Sequence, residues 1–133
     1  MDGRLELVYA HAALVLMSLR RDPDMAVVAQ LFTDGLFRHL DAGLREAGIG
    51  DLSVPKHMKR LAQAFYGRVQ AYQGAVAAQD VAALREALER NVFGGAPQPF
   101  AADLAQYLIA SAKVQAQVPA VELSRFDRWA AVA

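Results

Sequence analysis

Cysteine is absent from the 133 residues. Disulfides, thiolate nucleophiles and Cys-based zinc or iron–sulfur sites are therefore excluded, and a reducing compartment is compatible. Net charge is missing as well: 14 Lys+Arg balance 14 Asp+Glu, and the sequence pI is near 6.8. A protein that neutralises nucleic-acid phosphates normally carries a net basic surface, so no direct nucleic-acid binding is expected. Long apolar runs are lacking too. The longest uncharged stretch, Leu7–Leu19, has 13 residues and includes His11, whereas a membrane span needs about 20. No basic segment leads into an apolar stretch with a small-residue cleavage site, so no signal peptide is read. Strand-type alternation and internal repeats are also absent.

What is present points to helices. Apolar residues make up 55% and charged ones 21%, a balance that folds rather than stays disordered. Alanine supplies 27 of the 133 residues, and Leu, Glu, Gln and Arg are plentiful, which favours helix. Arg outnumbers Lys 11 to 3, consistent with a gene from a GC-rich bacterium.

Arg4–Leu19 is apolar nearly all round, with Arg4, Glu6, Arg20 and Arg21 only at its ends; such a helix is expected to be buried on most sides. Asp22-Pro23-Asp24 interrupts the chain, and Asp24 is expected to cap the next helix. That helix, Met25–Ala47, carries Val28, Phe32, Leu36, Leu40 and Leu44 every fourth residue. Gly35 and Gly43 beside this stripe imply close approach of a neighbouring helix. Asp34, Arg38, Asp41 and Arg45 on the other side form an expected ladder of ion pairs.

Gly48 suits the left-handed residue after a helix end, and Ser53 or Asp51 is expected to cap the third helix, with Pro55 in its first turn. Over Val54–Ala78, Met58, Leu61, Phe65, Val69, Tyr72 and Val76 step by three and four as a core-facing stripe. Asp80 caps a short fourth helix through Leu84, Leu88 and Val92, with Glu86/Arg90 as an expected i,i+4 pair. Gly94–Pro99 is a loop, and a fifth helix runs from Phe100 to about Gln117, ended by Pro119. Two readings stay open for Val121–Trp129: a last short helix or a packed tail. The expected architecture is all-α, a single-domain bundle of five to six helices over residues 1–133.

Catalytic constellations are nearly absent. There is no G-x-S-x-G elbow, no phosphate-cradling glycine loop and no H-E-x-x-H, and Gly48-x-Gly50 follows a helix rather than a strand. His11, His39 and His57 lie on different helices without metal-ligand spacing. The plain reading of His11, inside the most apolar helix, is a ring bonded to a backbone carbonyl; ligation of haem or another cofactor by His11 or His57 is the alternative. No enzyme, metal or resident cofactor is expected.

The third helix holds two anomalies. Lys56, His57, Lys59 and Arg60 crowd its first turns, where the macrodipole favours anions. Either Asp41, Glu46 and Asp51 fold back against them, or they face an acidic partner or an anionic membrane surface. Further along, Gly67 stands between Tyr66 and Arg68. It is either a helix–helix contact or a notch flanked by two residue types favoured at interfaces. The spacing leaves both open.

Several blocks in order resemble the ubiquinol–cytochrome c chaperone family, the assembly factors for cytochrome b of the bc1 complex. They are Asp2-Gly3-Arg4 with His11 and Leu14-Val15, and Leu31-Phe32 through Phe37 to Asp41. The most specific is Leu44-Arg45-Glu46-Ala47-Gly48-Ile49-Gly50-Asp51-Leu52-Ser53-Val54, with Lys56 after it. Then come Ala64-Phe65-Tyr66-Gly67-Arg68 with Tyr72, and Arg90-Asn91-Val92-Phe93. Motif coverage is thus best over residues 2–93. Ala47 stands where methionine is common, and Pro55 where a small or polar residue is expected. Family members carry a further segment before the first block, so the chain reads as a trimmed or shortened member.

The resemblance implies a helical, non-enzymatic chaperone whose client is cytochrome b or another bc1 subunit. Mitochondrial members act near the ribosomal exit on newly made cytochrome b with a small partner protein, and a nascent and a finished client both stay open here. The resemblance also implies a bacterial cytoplasmic location, peripheral to the inner membrane. The residues expected to face partners are Arg45, Glu46, Asp51, Lys56, Lys59, Tyr66 and Arg68, shaped by Gly48, Gly50 and Gly67. A generic protein-interaction scaffold is the further alternative.

Overall fold

Helix α1, Gly3–Arg20, forms the middle of the bundle because it has so few polar positions to keep wet. Tyr9, Ala10, Ala12, Ala13, Leu14, Leu16 and Leu19 are all buried along it. Its small alanines let neighbours approach on several sides, and α2, α3, α5 and the C-terminal turn all pack on it. The computed structural model describes residues 3–125 and 128–131. In chain order the other helices are α2 (Ala26–Glu46), α3 (Val54–Ala77), α4 (Val81–Asn91) and α5 (Pro99–Ala116), with 3-10 turns at Pro23–Met25 and Ala120–Arg125. Among the described residues there is no strand, so the all-α expectation holds.

The α3 stripe faces the core as its spacing requires: Phe65, Val69 and Tyr72 are buried, while Met58, Leu61 and Val76 are half-buried nearer the helix ends. Phe65 packs its ring 5.5 Å from that of Tyr9, and α4 closes the core with Leu84 and Leu88, both fully buried. The Asp80 carboxylate accepts the Ala83 N–H at 3.0 Å, the expected cap of α4. By contrast, α2 lies on the outside of the bundle. Only Ala29 and Thr33 are fully buried in it, and its Phe32–Leu44 stripe is half-buried.

Several local expectations are corrected. The side chain that bonds backbone before α2 is Asp22, which accepts the Asp24 N–H at 3.0 Å to start the 3-10 turn. Neither Ser53 nor Asp51 caps α3: Ser53 occupies the cap position without a side-chain bond, and Asp51 is held by Arg45. A Cβ on Gly35 or Gly43 would meet nothing within 4 Å, because α2 presents these positions away from its neighbours. The ladder on α2 reduces to one rung, Arg45–Asp41 at 3.0 Å. Asp34 instead accepts from the Gln30 amide at 2.9 Å. On α4 the pair is Arg85–Glu89 at 3.9 Å rather than Glu86/Arg90; Arg90 lies close enough to Tyr72 to act on its hydroxyl.

The C-terminal segment is a packed tail after its 3-10 turn. The Trp129 ring lies 5.1 Å from that of His11, and the Ala130 N–H donates to Ser111 Oγ at 3.0 Å.

Two core tyrosines carry a testable pH dependence. Burial pushes the hydroxyls of Tyr9 and Tyr72 up to about 12, helped by the nearby Glu6 carboxylate. Tyr9 donates to the Leu61 carbonyl at 3.1 Å. Tyr72 makes no hydrogen bond of good geometry, and Asn91 is the side chain that approaches it. Both folded values exceed the unfolded one near 10. The stability they confer is therefore complete below pH 10 and is lost as pH rises toward 12. Each should account for on the order of 2 kcal/mol across that window. Urea midpoints measured from pH 9 to 12 should fall steeply only above 10, and Tyr72→Phe should flatten the fall. A wild-type midpoint that stays level through pH 11 would contradict the assignment.

Candidate partner-binding surface

Helix α3 contains no aspartate or glutamate at all. Its cations therefore have no partners on their own helix, and a cation in the first turn is disfavoured by the dipole. Lys56, Lys59, Arg60, Gln63, Gly67 and Gln70 recur at three and four and are all exposed, forming one outward strip. Among the described residues, none of Lys56, Lys59 and Arg60 enters an ion pair. The carboxylates expected to fold back on them are engaged elsewhere or apart. Asp41 and Asp51 both bind the Arg45 guanidinium, and Glu46 is exposed without an ion pair among the described residues.

Arg45 thus braces the connection between α2 and α3. Its guanidinium is held protonated above its ordinary value, chiefly by the hydrogen bond it donates to Asp41 and less by Asp51. Gly48 takes the left-handed conformation with φ +88°, which lets the Ile49 N–H reach back to the Leu44 carbonyl at 3.1 Å. The Gly50 carbonyl accepts the N–H groups of Ser53 and Val54 at 2.9 and 3.2 Å, turning the chain into α3. Leu52, between them, is 100% exposed.

Tyr66 borders the strip. Its ring leans on Phe37 and Phe65 at centroid distances of 6.0 and 5.4 Å, and it remains 42% exposed. A Cβ on Gly67 would meet nothing within 4 Å. Gly67 therefore faces open space, and the helix-contact reading is set aside.

Arg68 is the member of the set that turns inward. Its Nε and Nη2 donate to the two carboxylate oxygens of Glu6 at 3.0 and 2.8 Å. Glu6 is fully buried, and this bidentate pair ties α1 to α3. Hydrogen bonding to Glu6 holds the Arg68 guanidinium above its ordinary value against the opposing effect of its own burial.

The expected residues therefore divide three ways. Lys56, Lys59, Tyr66 and Gly67 share one exposed face; Arg45, Glu46, Gly48, Gly50 and Asp51 build the corner before it; Arg68 is committed inside. Arg60, read as part of the basic start of α3 but left out of the partner-facing set, and Gln63, not singled out at all, are placed on the strip by the three-and-four spacing. Sequence reasoning also omitted Leu52, whose signal was an apolar residue in a Gly-Asp-x-Ser turn.

Cofactor ligation finds no support at His11. A carbonyl can only accept, so Nδ1 carries the proton donated to Leu7 O at 2.7 Å, and Nε2 accepts from the Tyr107 hydroxyl at 3.1 Å. Both ring nitrogens are occupied. Among the described residues no group of three or more His, Asp or Glu converges as a metal site, and no helix is long and apolar enough to cross a membrane.

The fold is an all-α bundle that presents a basic face on α3. The profile of the ubiquinol-cytochrome C chaperone family matches residues 1–127. The crystal structure of the Cbp3 homolog from Brucella abortus superposes with a TM-score of 0.84 at 36% sequence identity, covering 97% of this chain and 73% of that one. No curated protein sequence matches the chain. The chain belongs to the ubiquinol-cytochrome C chaperone family. The match extends past the motif blocks ending at Phe93 to include α5 and the turn after it.

Proposed function

We propose that the chain is a non-enzymatic assembly chaperone for ubiquinol–cytochrome c reductase, with cytochrome b or another bc1 subunit as its client. The observation that carries this reading is family membership over nearly the whole chain. The surface supplies a physical route. A strip of three exposed cations with no acidic residue on their helix attracts an acidic segment over a distance set by ionic strength. The exposed Tyr66 ring offers an aromatic anchor, and Gly67 beside it leaves the helix backbone uncovered for close approach. The cytoplasmic side of a bacterial inner membrane, engagement of the client as it leaves the ribosome, and a small co-chaperone complete the proposal.

Deleting the gene in its source bacterium should remove most of the b-type haem absorbance of the membranes and most assembled bc1 complex. A photo-crosslinker at Tyr66 should capture cytochrome b or another bc1 subunit in cells. Normal bc1 amounts in the deletion strain would end this reading. Recovery of an unrelated protein in place of a bc1 subunit would favour a general interaction scaffold.

A further inference from the structure

Away from the α3 strip, the end of α1, the start of α2 and the C-terminal turn enclose a cavity of about 200 Å³. Leu19, Val28, Phe32, Leu123 and Trp129 give it apolar walls. The two larger polar groups that reach it are already engaged. Gln115 accepts from the Ser18 hydroxyl at 2.6 Å, and Arg128 donates to Glu122 at 3.1 Å. A space so lined offers water few partners and favours an apolar guest. Its size suits one side chain, since a cavity of roughly 150 Å³ takes a single benzene-sized ring.

The apolar surface does not stop at the mouth. Val28 is 42% and Val121 61% exposed, and the strip continues along α2 through Val27 and Leu31, at 71% and 62%. Val27 and Leu31 are one turn apart on the same face. Scattered exposed apolar residues are ordinary, but a contiguous set around a cavity marks a docking surface.

Charge specifies the occupant. Residues 22–37 hold Asp22, Asp24 and Asp34 and not one Lys, Arg or His. Among the described residues, none of these aspartates is in an ion pair. Asp34 lies on the face of Val27 and Leu31, at a spacing of seven and three. Of the cations around this segment, Arg21 donates to the carbonyls of Gln115 and Val118 and Arg128 to Glu122, while Arg38, one turn past Asp34, is exposed and forms no ion pair with it among the described residues. An apolar rim edged by uncompensated carboxylates complements an apolar helix that ends in Lys or Arg, which is the composition of the cytoplasmic end of a membrane span.

We propose that this cavity receives one large apolar side chain, Leu or Phe, from a client helix whose basic flank lies along Asp24 and Asp34. The choice of a membrane-protein client rests on the assembly-chaperone reading, whereas the cavity and its charge stand without it.

Trp129 is the one tryptophan of the chain and lines the cavity, so its emission reports occupancy directly. Two synthetic helices of about four turns, alike in their Leu/Phe/Ala sequence and flanked by paired lysines or paired glutamates, serve as probes. The Lys-flanked peptide should shift Trp129 emission saturably and bind about tenfold tighter than the Glu-flanked one at low salt, a preference that shrinks at high salt. Val28→Asp should weaken binding by tenfold or more, about the effect of burying an unpaired carboxylate. Asp24→Asn with Asp34→Asn should cut the Lys-over-Glu preference about fivefold. Circular dichroism checks that each variant folds, as exposed positions predict. No saturable shift with the Lys-flanked peptide, equal affinity for the two peptides, or wild-type binding by Val28→Asp would each overturn the proposal. So would the same shift produced by phosphatidylcholine vesicles alone, which makes lipid the occupant.

A cell experiment separates this inference from the function it builds on. In a deletion strain, full rescue of bc1 by both wild type and Val28→Asp refutes the cavity as client site and leaves the chaperone reading standing. Absence of any bc1 defect refutes the chaperone reading, and the peptide titration then judges the cavity alone.

Discussion

Arg68→Met is expected to cost about 3–5 kcal/mol of folding stability, a fall in Tm on the order of 10–20 °C for a domain of this size. Truncating the guanidinium strands the Glu6 carboxylate, which has no solvent exposure and loses both of its charge-assisted hydrogen bonds. Glu6→Gln should cost less. The Arg68 side chain remains 22% exposed and regains some water when its partner is neutral. The double replacement Glu6→Leu/Arg68→Leu should be milder than Arg68→Met alone, because it removes two desolvated charges together and lets α1 meet α3 through apolar contact. Urea unfolding ranks these variants against wild type, and adding Glu6→Gln/Arg68→Met closes a double-mutant cycle that isolates the coupling. Single-variant losses below about 1 kcal/mol, the range of exposed pairs, would show that the bridge does not behave as buried.

This pair also marks where sequence reading stopped short. Glu6 reads as one of the end charges of an apolar helix, and Arg68 as half of an exposed notch. Nothing local to either segment says that they meet 62 residues apart. A residual clue was arithmetical: α3 has four Lys/Arg and no acid, while Glu6 is the lone acid within an otherwise uncharged stretch of α1. Five helices and the core face of α3 were legible because periodicity at 3.6 residues is a direct consequence of burial on one side. Helix α2 was less so, since its four-residue stripe winds around the helix and leaves Val28 at the mouth of the cavity. The cap before α2 was misplaced by two residues, from Asp22 to Asp24, and the Ser53 cap position of α3 lacks its expected side-chain bond, because Asp22, Asp24, Asp51 and Ser53 all have suitable chemistry. Only the backbone path decides which carboxylate or hydroxyl reaches an N–H. The corner residues fared best. Gly48 has the positive φ its position after a helix demands, and Lys56, in conflict with the dipole in the first turn of α3, is exposed along with Lys59.

That conflict yields a prediction in which stability and function move in opposite directions. Lys56 stands three residues after Ser53, the N-cap position, which makes no side-chain bond. A glutamate there completes the Ser-x-x-Glu pattern, in which the N-cap hydroxyl and the glutamate each satisfy a free backbone N–H of the helix start. It also replaces a cation with an anion at the positive end of the dipole. Lys56→Glu is therefore expected to raise stability by about 0.5–1 kcal/mol, visible as a Tm gain of a few degrees. Lys59 lies nearly two turns into α3, where the dipole has faded, so Lys59→Glu should leave Tm almost unchanged. If the strip receives an acidic partner, the double reversal should nevertheless abolish rescue of bc1 in a deletion strain, since two attractive contacts become repulsive. A merely solvated face would give the first effect without the second. The informative measurement is both together: thermal unfolding of the purified double variant beside the b-type haem content of membranes that express it. Full rescue by this more stable variant would remove Lys56 and Lys59 from the client surface. Loss of rescue with an undiminished Tm would mean that the chain keeps these cations for the partner they meet, at the expense of its own helix.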